Sequence, residues 1–344
     1  MFTTDIYQAL APYLEKYDAD QVVAVVAESV KTQWEKLPFR SIPTYFLTGG
    51  EESKSLEILQ QIWDFLLEHK ITRRGLIVCV GGGTVTDTGG FAAATYKRGI
   101  DYINIPTTLL AMVDASAGGK TGINYRGLKN IIGSFHSPVE TIVCPSWLHT
   151  LPTEQLLSGF SEMLKHAILS DEIEWNRILT YDIDAFDIPS LSPFLETSLA
   201  IKKRIVLADP KEQGLRKALN FGHTFGHALE EIALEPQTAT PRPVSHGYAV
   251  LYGMIAELYL SVVLLACPQE PLQQLTQIML HYYGRPQCRC KDKSRLIALM
   301  QQDKKNEHVG EINCTLLKNI GQPVVNQAIT PEQAMEAFEY LFSL

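Results

Sequence analysis

Along the first 150 residues, short runs of aliphatic and β-branched residues alternate with stretches whose apolar positions recur every three to four residues. Alternation of this kind predicts parallel strands joined by crossover helices. The clearest strands are 22–26 and 76–80, and 102–105 and 141–143 extend the sheet. Between the first two strands, Leu59, Ile62, Trp63 and Leu66 fall on one helical face, with Ser53 and Ser55 ahead of them as caps. From about Leu151 helical periodicity takes over. Helices are expected over 154–169, 192–208, 216–231, 246–264, 270–283, 294–302 and 331–342, and only 313–317 reads as a strand. Pro236, Pro241 and Pro243 mark the longest loop. The pattern gives an α/β domain over residues 1–151 followed by an all-α domain over 152–344.

Composition narrows the class. A chain of 344 residues that is 46% hydrophobic and 20% charged suits two folded domains and excludes disorder, collagen-like repeats and a disulfide miniprotein. With 30 Lys and Arg against 38 Asp and Glu the net charge is −8, and no local basic patch offsets it, so no nucleic-acid partner is expected. Six scattered cysteines, Cys79, Cys144, Cys267, Cys288, Cys290 and Cys314, form no CxxC pair and follow no leader. Reduced thiols in a cytoplasmic protein are the expectation, and Cys288-x-Cys290 is assigned no function. Residues 248–266 are apolar and long enough to span a bilayer, but Glu257 near their middle would cost roughly 2.5–3.5 kcal/mol there. The segment reads as a buried core helix, and no membrane partner is expected.

The polar motifs carry the chemistry. Gly81-Gly82-Gly83 follows the strand 76–80 and precedes a helical pattern from Thr84, where backbone N–H groups and a helix N-terminus favour phosphate. Three consecutive glycines are not the G-x-G-x-x-G fingerprint, so a plain tight turn stays open. Asp87 either complements the helix dipole or holds a ribose or nicotinamide group. Residues 114–130, DASAGGKTGINYRGLKN, show no helical or strand period and are expected to be a binding loop. Lys120 and Lys129 within it are either anion clamps or solvated lysines. His223 and His227 are four apart on one helical face, and Thr224 stands where a zincin peptidase needs glutamate. His246 follows Ser245 at a helix start, and Glu162 lies one turn from Lys165 and His166. One glutamate and two histidines meet the ligand count of a catalytic zinc. Spacing does not separate His223 from His227, and core or surface histidines remain the alternative.

Taken in order, GGGTVTD at 81–87, GGFAAATYKRG at 89–99, PTTLLAMVDASAGGKTGIN at 106–124, KNIIGSF at 129–135, LPTEQLLSGFSEMLKH at 151–166, KEQGLRKALNFGHTFGHALE at 211–230, SHG at 245–247 and DKK at 303–305 resemble the 3-dehydroquinate synthases of the sugar-phosphate cyclase superfamily. The resemblance implies a Rossmann-like, NAD-binding N-terminal domain, a helical metal-binding C-terminal domain and a cleft between them. It implies a lyase that converts 3-deoxy-D-arabino-heptulosonate 7-phosphate to 3-dehydroquinate and phosphate with catalytic NAD, on the shikimate pathway, in a homodimer. Glu162, His223 and His246 would hold zinc or cobalt, with Lys165 in the catalytic set. Lys202, Arg216 and Asn220 would meet the substrate carboxylate and hydroxyls. Lys120, Asn130, His227 and Lys304 would meet the phosphate, with Arg98 reaching it across the dimer. Around NAD it places Glu51, Lys54, Gly82, Gly83, Asp87, Thr107, Thr108, Lys120, Lys129 and the 147–150 stretch ending at Thr150, with Asp114 beside nicotinamide or substrate.

Three departures from the family pattern stand out. Thr86 replaces a glycine near the pyrophosphate approach, either donating a hydrogen bond or crowding it. Tyr248 replaces a glutamate after the His-Gly pair, which predicts retained metal binding in altered surroundings. Ala27 and Ser29 replace an aspartate and an asparagine at the adenosine ribose, leaving Glu28 to shift in. The alternatives are a cyclase of the 2-deoxy-scyllo-inosose synthase kind, an iron-type polyol dehydrogenase, or a non-catalytic NAD- or metal-binding subunit. Arg216, Asn220 and Lys202 favour a substrate that bears a carboxylate.

Overall fold

The computed structural model describes residues 1–234, 244–286, 293–302 and 310–344. Cys288, Cys290, the three loop prolines and Lys304 with its DKK motif lie outside them.

Strands β1 (Val22–Ala27), β2 (Thr44–Leu47), β3 (Leu76–Gly81) and β4 (Asp101–Pro106) are followed by β5 (Lys120–Tyr125), β6 (Leu128–Phe135) and the short β7 (Glu140–Thr141). All pairings in the main sheet are parallel, in the order β2-β1-β3-β4-β7. β1 and β3 are buried along their apolar runs, as strands covered on both faces must be. Helix α1 (Ile6–Leu14) precedes β1, and the helices that cover these strands include α2 (Lys31–Lys36), α3 (Leu56–Glu68) and α4 (Gly83–Thr95). Ser55 caps α3 by accepting from the Ile58 N–H at 3.3 Å, while Leu59, Ile62 and Leu66 face the core. Burial of each such side chain contributes about 2 kcal/mol.

The strand order reverses between β1 and β3. Chains that leave a parallel sheet in opposite directions open a crevice beyond the strand ends. Here those ends are Ala27 and Gly81.

The expectation of an aperiodic loop over 114–130 needs correction. Residues 111–115 form a π turn, and 120–135 form the antiparallel β5–β6 hairpin. Its period was hidden because β6 leaves Leu128, Ile131, Ile132 and Phe135 exposed instead of burying one face.

Helices α5 (Thr153–Ser170), α6 (Glu172–Ile178), α7 (Ile188–Ala208), α8 (His223–Leu234), α9 (His246–Leu265), α10 (Glu270–Ile278), α11 (Lys293–Gln301) and α12 (Pro331–Ser343) make up the rest, with the hairpin β8 (Ile312–Asn319) and β9 (Gln322–Ile329). The chain divides into two units, 1–156 with 186–203, and 157–185 with 204–344. Most of α7 thus packs with the α/β unit. α9 is the one described helix long and apolar enough to cross a membrane, and it is mostly buried against α8, α12 and β8 as a core helix. The expected single helix over 216–231 is instead a 3-10 turn, Leu215–Asn220, followed by α8. The break falls at Phe221-Gly222, where Gly222 has φ +82°.

Candidate active site

In the α/β unit, Gly82 caps α4 directly after β3. The Thr107 N–H donates to the Gly81 carbonyl at 3.0 Å, and a β-carbon on Gly82 would stand 3.1 Å from Thr108 Cγ2. Gly82, Gly83, Thr107 and Thr108 therefore gather at the crevice. Thr86 does not crowd it, because its buried hydroxyl donates back to the Gly83 carbonyl at 3.2 Å. Glu28 does not turn inward either; it pairs with Lys31 at 3.2 Å in solvent.

Lys54 lies behind this turn, buried, and donates to Asp87 Oδ2 at 2.8 Å and Asn130 Oδ1 at 3.1 Å, with Glu51 Oε2 at 3.4 Å. Asn124 closes the ring. Its side chain donates to Glu51 Oε1 at 3.0 Å and accepts from the Asn130 N–H at 2.8 Å. Burial pulls the Lys54 ammonium down, but the carboxylates of Asp87 and Glu51 outweigh it and hold the pKa above its ordinary value. Burial raises Asp87 against the pull of Lys54. An oriented carboxylate of this kind suits a ligand hydroxyl or amide N–H.

In the same unit the Lys202 ammonium of α7 donates to the Asp114 carbonyl at 2.6 Å and also meets its carboxylate. Lys120 opens β5 in an exposed position, and Lys129 is half-buried on β6. Arg98 is exposed on a turn where Lys97, Arg98 and Gly99 all have positive φ. Thr150 ends a 3-10 turn and, with Trp147, lines a cavity of about 320 Å³ that also includes Thr4, Asp5 and Gln33. That cavity shares no residue with the Lys54 network.

In the helical unit, Glu162 sits fully buried in α5, while His223 and His246 are the first residues of α8 and α9. Glu162 Oε1 is 3.8 Å from Nε2 of each histidine, and one donor atom from each of the three residues lies within 4.8 Å of the others. His223 Nδ1 faces the Phe221 carbonyl at 3.2 Å, and His246 Nδ1 faces Glu230 Oε2 at 3.0 Å. Both partners only accept, so each Nδ1 carries a proton, and in the neutral ring Nε2 turns its lone pair toward Glu162. Tetrahedral donors at about 2.1 Å from zinc stand about 3.4 Å apart, so a small inward adjustment brings three ligands onto one cation. The Lys165 ammonium pairs with Glu162 Oε2, while Oε1, which faces the two histidines, accepts no hydrogen bond among the described residues. A buried carboxylate so placed fits a cation.

His227, one turn along α8, stands outside this donor group, its ring 5.4 Å from that of His223. Spacing alone left the two histidines equivalent. Arg216 is buried on the 215–220 turn and donates to the Pro210 carbonyl at 2.8 Å, while Asn220 donates to Glu212 at 3.0 Å. Tyr248 packs edge-on against Tyr283 at 4.8 Å. Asn124 and Glu230 stand inside the family motifs at 106–124 and 211–230, and the resemblance implies no role for either. Glu230 had a signal in its place seven residues after His223, on the same helical face.

The first family model, described as 3-dehydroquinate synthase N-terminal, matches residues 44–158, and its C-terminal counterpart matches 159–306. The 3-dehydroquinate synthase of Parabacteroides distasonis is 42% identical over 341 residues, 98% of this chain and 95% of that one. The chain belongs to the 3-dehydroquinate synthase family. Among solved structures, a 2-deoxy-scyllo-inosose synthase complexed with carbaglucose-6-phosphate, NAD+ and Co2+ aligns with TM-score 0.84 at 20% identity, covering 98% of this chain and 95% of that one. The 2-epi-5-epi-valiolone synthase of Streptomyces hygroscopicus subsp. jinggangensis 5008, with NAD+ and Zn2+ bound, aligns with TM-score 0.80 at 24% identity, covering 100% and 96%. At these identities the two structures establish the shared fold.

Proposed function

We propose that the protein is a lyase that converts 3-deoxy-D-arabino-heptulosonate 7-phosphate to 3-dehydroquinate and phosphate, in aromatic amino-acid biosynthesis, with catalytic NAD and a zinc or cobalt ion. The observation that carries this reading is the buried Glu162 carboxylate facing two histidine Nε2 atoms, in a chain 42% identical to a 3-dehydroquinate synthase.

Glu162, His223 and His246 would hold the metal, and the glycine turn with Thr107, Thr108, Asp87, Glu51, Lys54, Lys129 and Thr150 would hold NAD. When bound, the metal polarises substrate hydroxyls and NAD takes up and later returns a hydride. The protein's own groups do the rest. Lys202 fixes the Asp114 carboxylate, which accepts a hydrogen bond from a substrate hydroxyl or the nicotinamide amide. Arg216, with a planar donor fork, and Asn220 meet the substrate carboxylate and hydroxyls. Lys120, Asn130, His227 and Lys304 balance the phosphate charge as that group leaves. Lys165 places its ammonium against the Glu162 carboxylate.

The working species in this reading is a cytoplasmic homodimer. Arg98 is exposed on its left-handed turn, and β6 leaves Leu128, Ile131, Ile132 and Phe135 exposed, apolar surface of the kind a second copy covers. The four described cysteines are buried thiols, which suits a reducing compartment.

Phosphate release is the decisive measurement, with zinc present and NAD substoichiometric, while absorbance follows NADH. Release beyond the NAD supplied, without net NADH, supports the proposal. Accumulating NADH on polyols, or no phosphate at all, overturns it.

A further inference from the structure

Glu257 entered the sequence only as the charge that kept a long apolar helix out of a membrane. It lies in the middle of α9, fully buried, and belongs to none of the metal or substrate sets above. Its Oε2 accepts from the Gly222 N–H at 2.7 Å. The Gly222 N–H and the Phe221 carbonyl belong to one planar peptide unit, and that carbonyl is the atom that receives His223 Nδ1. One carboxylate thus fixes the peptide plane whose other edge orients an imidazole of the donor set.

The backbone shows why the plane needs fixing. Phe221 at φ −54°, ψ 125° followed by Gly222 at φ +82° is the signature of a type II turn. A type II turn converts to type I by rotating its central peptide, which here reverses both the Gly222 N–H and the Phe221 carbonyl. Reversal would withdraw the acceptor from His223 Nδ1 and release the ring's tautomer and direction. Close helix packing fixes the distance. A β-carbon on Gly222 would stand 2.6 Å from the Val250 carbonyl, and one on Gly253 would stand 1.8 Å from the Gly222 carbonyl. On the far side, Ser261 donates to the Glu257 carbonyl at 2.6 Å and accepts from the Leu317 N–H at 2.9 Å, anchoring this part of α9 to β8.

We propose that Glu257 is a positioning residue of the metal site, holding the Phe221–Gly222 peptide so that the His223 Nε2 lone pair is aimed at the ion; this rests on the metal reading above. The role belongs to an acceptor at a fixed reach and not to the charge. Glu257→Gln keeps the acceptor, Glu257→Asp shortens the reach, and Glu257→Leu removes it.

The experiment is zinc affinity by chelator competition on the full chain. Nitrogen-15 shifts of the His223 ring and the visible bands of the cobalt-loaded protein are read alongside. The expected result is an affinity within about threefold of the parent for Glu257→Gln and at least tenfold weaker for Glu257→Leu and Glu257→Asp, with mixed His223 tautomers in the latter two. Should Glu257→Leu not fold, Glu257→Asp decides alone. Parent-like affinity in Glu257→Leu or Glu257→Asp, or equal losses in Glu257→Gln and Glu257→Asp, overturns the proposal. Failure of the unsubstituted protein to bind one metal ion per chain overturns the metal reading itself, and the proposal with it.

Discussion

The Lys54 network of the α/β unit and the Glu162 cluster of the helical unit both bury charge, yet they settle it in opposite ways. Around Lys54 the protein supplies its own partners: ammonium, two carboxylates and two asparagines bond to one another, and the network presents an oriented Asp87 to whatever enters. Around Glu162 the outer atoms are satisfied, His223 on a backbone carbonyl, His246 on Glu230 and Oε2 on Lys165, while Oε1 faces the two Nε2 atoms at 3.8 Å each. The first pattern describes a surface for a hydrogen-bonding ligand. The second describes a seat for a cation.

That contrast breaks most sharply at Glu162. Glu162→Ala removes the one anionic ligand, and we expect metal stoichiometry near zero with phosphate release down by at least about 1,000-fold. Metal analysis of the purified variant, with the phosphate assay, checks this. Substantial metal retention would make the inner cluster a structural one.

In the other network, Lys54→Met leaves Asp87 buried without its cation, which should cost about 3 kcal/mol in urea unfolding and weaken NAD binding, while metal content stays at the parent level. Loss of metal from this variant would show that the two clusters are not independent. A smaller effect is expected from Glu230→Ala, since only the outer partner of His246 is lost; metal affinity should fall about 10- to 100-fold by chelator competition with little change in NAD affinity.

The gentlest probe is pH. Because the folded pKa of Lys54 is raised, its contribution is fully present below its unfolded value of about 10.4 and fades as pH rises through the folded one. The stability gap between the parent and Lys54→Met should therefore hold from pH 7 to pH 9 and shrink above about pH 10.4. A gap that closes between pH 7 and pH 9 would mean that Lys54 is not held by Asp87 and Glu51.

The sheet was legible because β1 and β3 carry short continuous apolar runs rich in β-branched residues and bounded by turns, too short for a buried helix. The helix over 154–169 and the long apolar helix after Ser245 were legible by the same logic. The β5–β6 hairpin was not, because the apolar residues of β6 point to solvent and the hairpin's glycines carry no period. The break at Gly222 was hidden for a different reason. Leu219, His223 and His227 keep a helical spacing straight through it, so only tertiary packing against α9 reveals the turn. Within the site, residue types and order pointed to metal and nucleotide chemistry. Which histidine faces Glu162, and the parts played by Asn124, Glu230 and Glu257, depend on contacts between elements far apart in the chain.

The close approach at Gly222 and Gly253 reaches beyond this molecule. A relative that keeps the glutamate and both histidines but carries any side chain at the position of Gly253 cannot bring its two histidine-bearing helices to this distance. Its ligand residues would survive as letters in an alignment while the coordination geometry was gone. For sorting working enzymes from silent descendants, a single hydrogen in place of a methyl group then counts beside the metal ligands themselves.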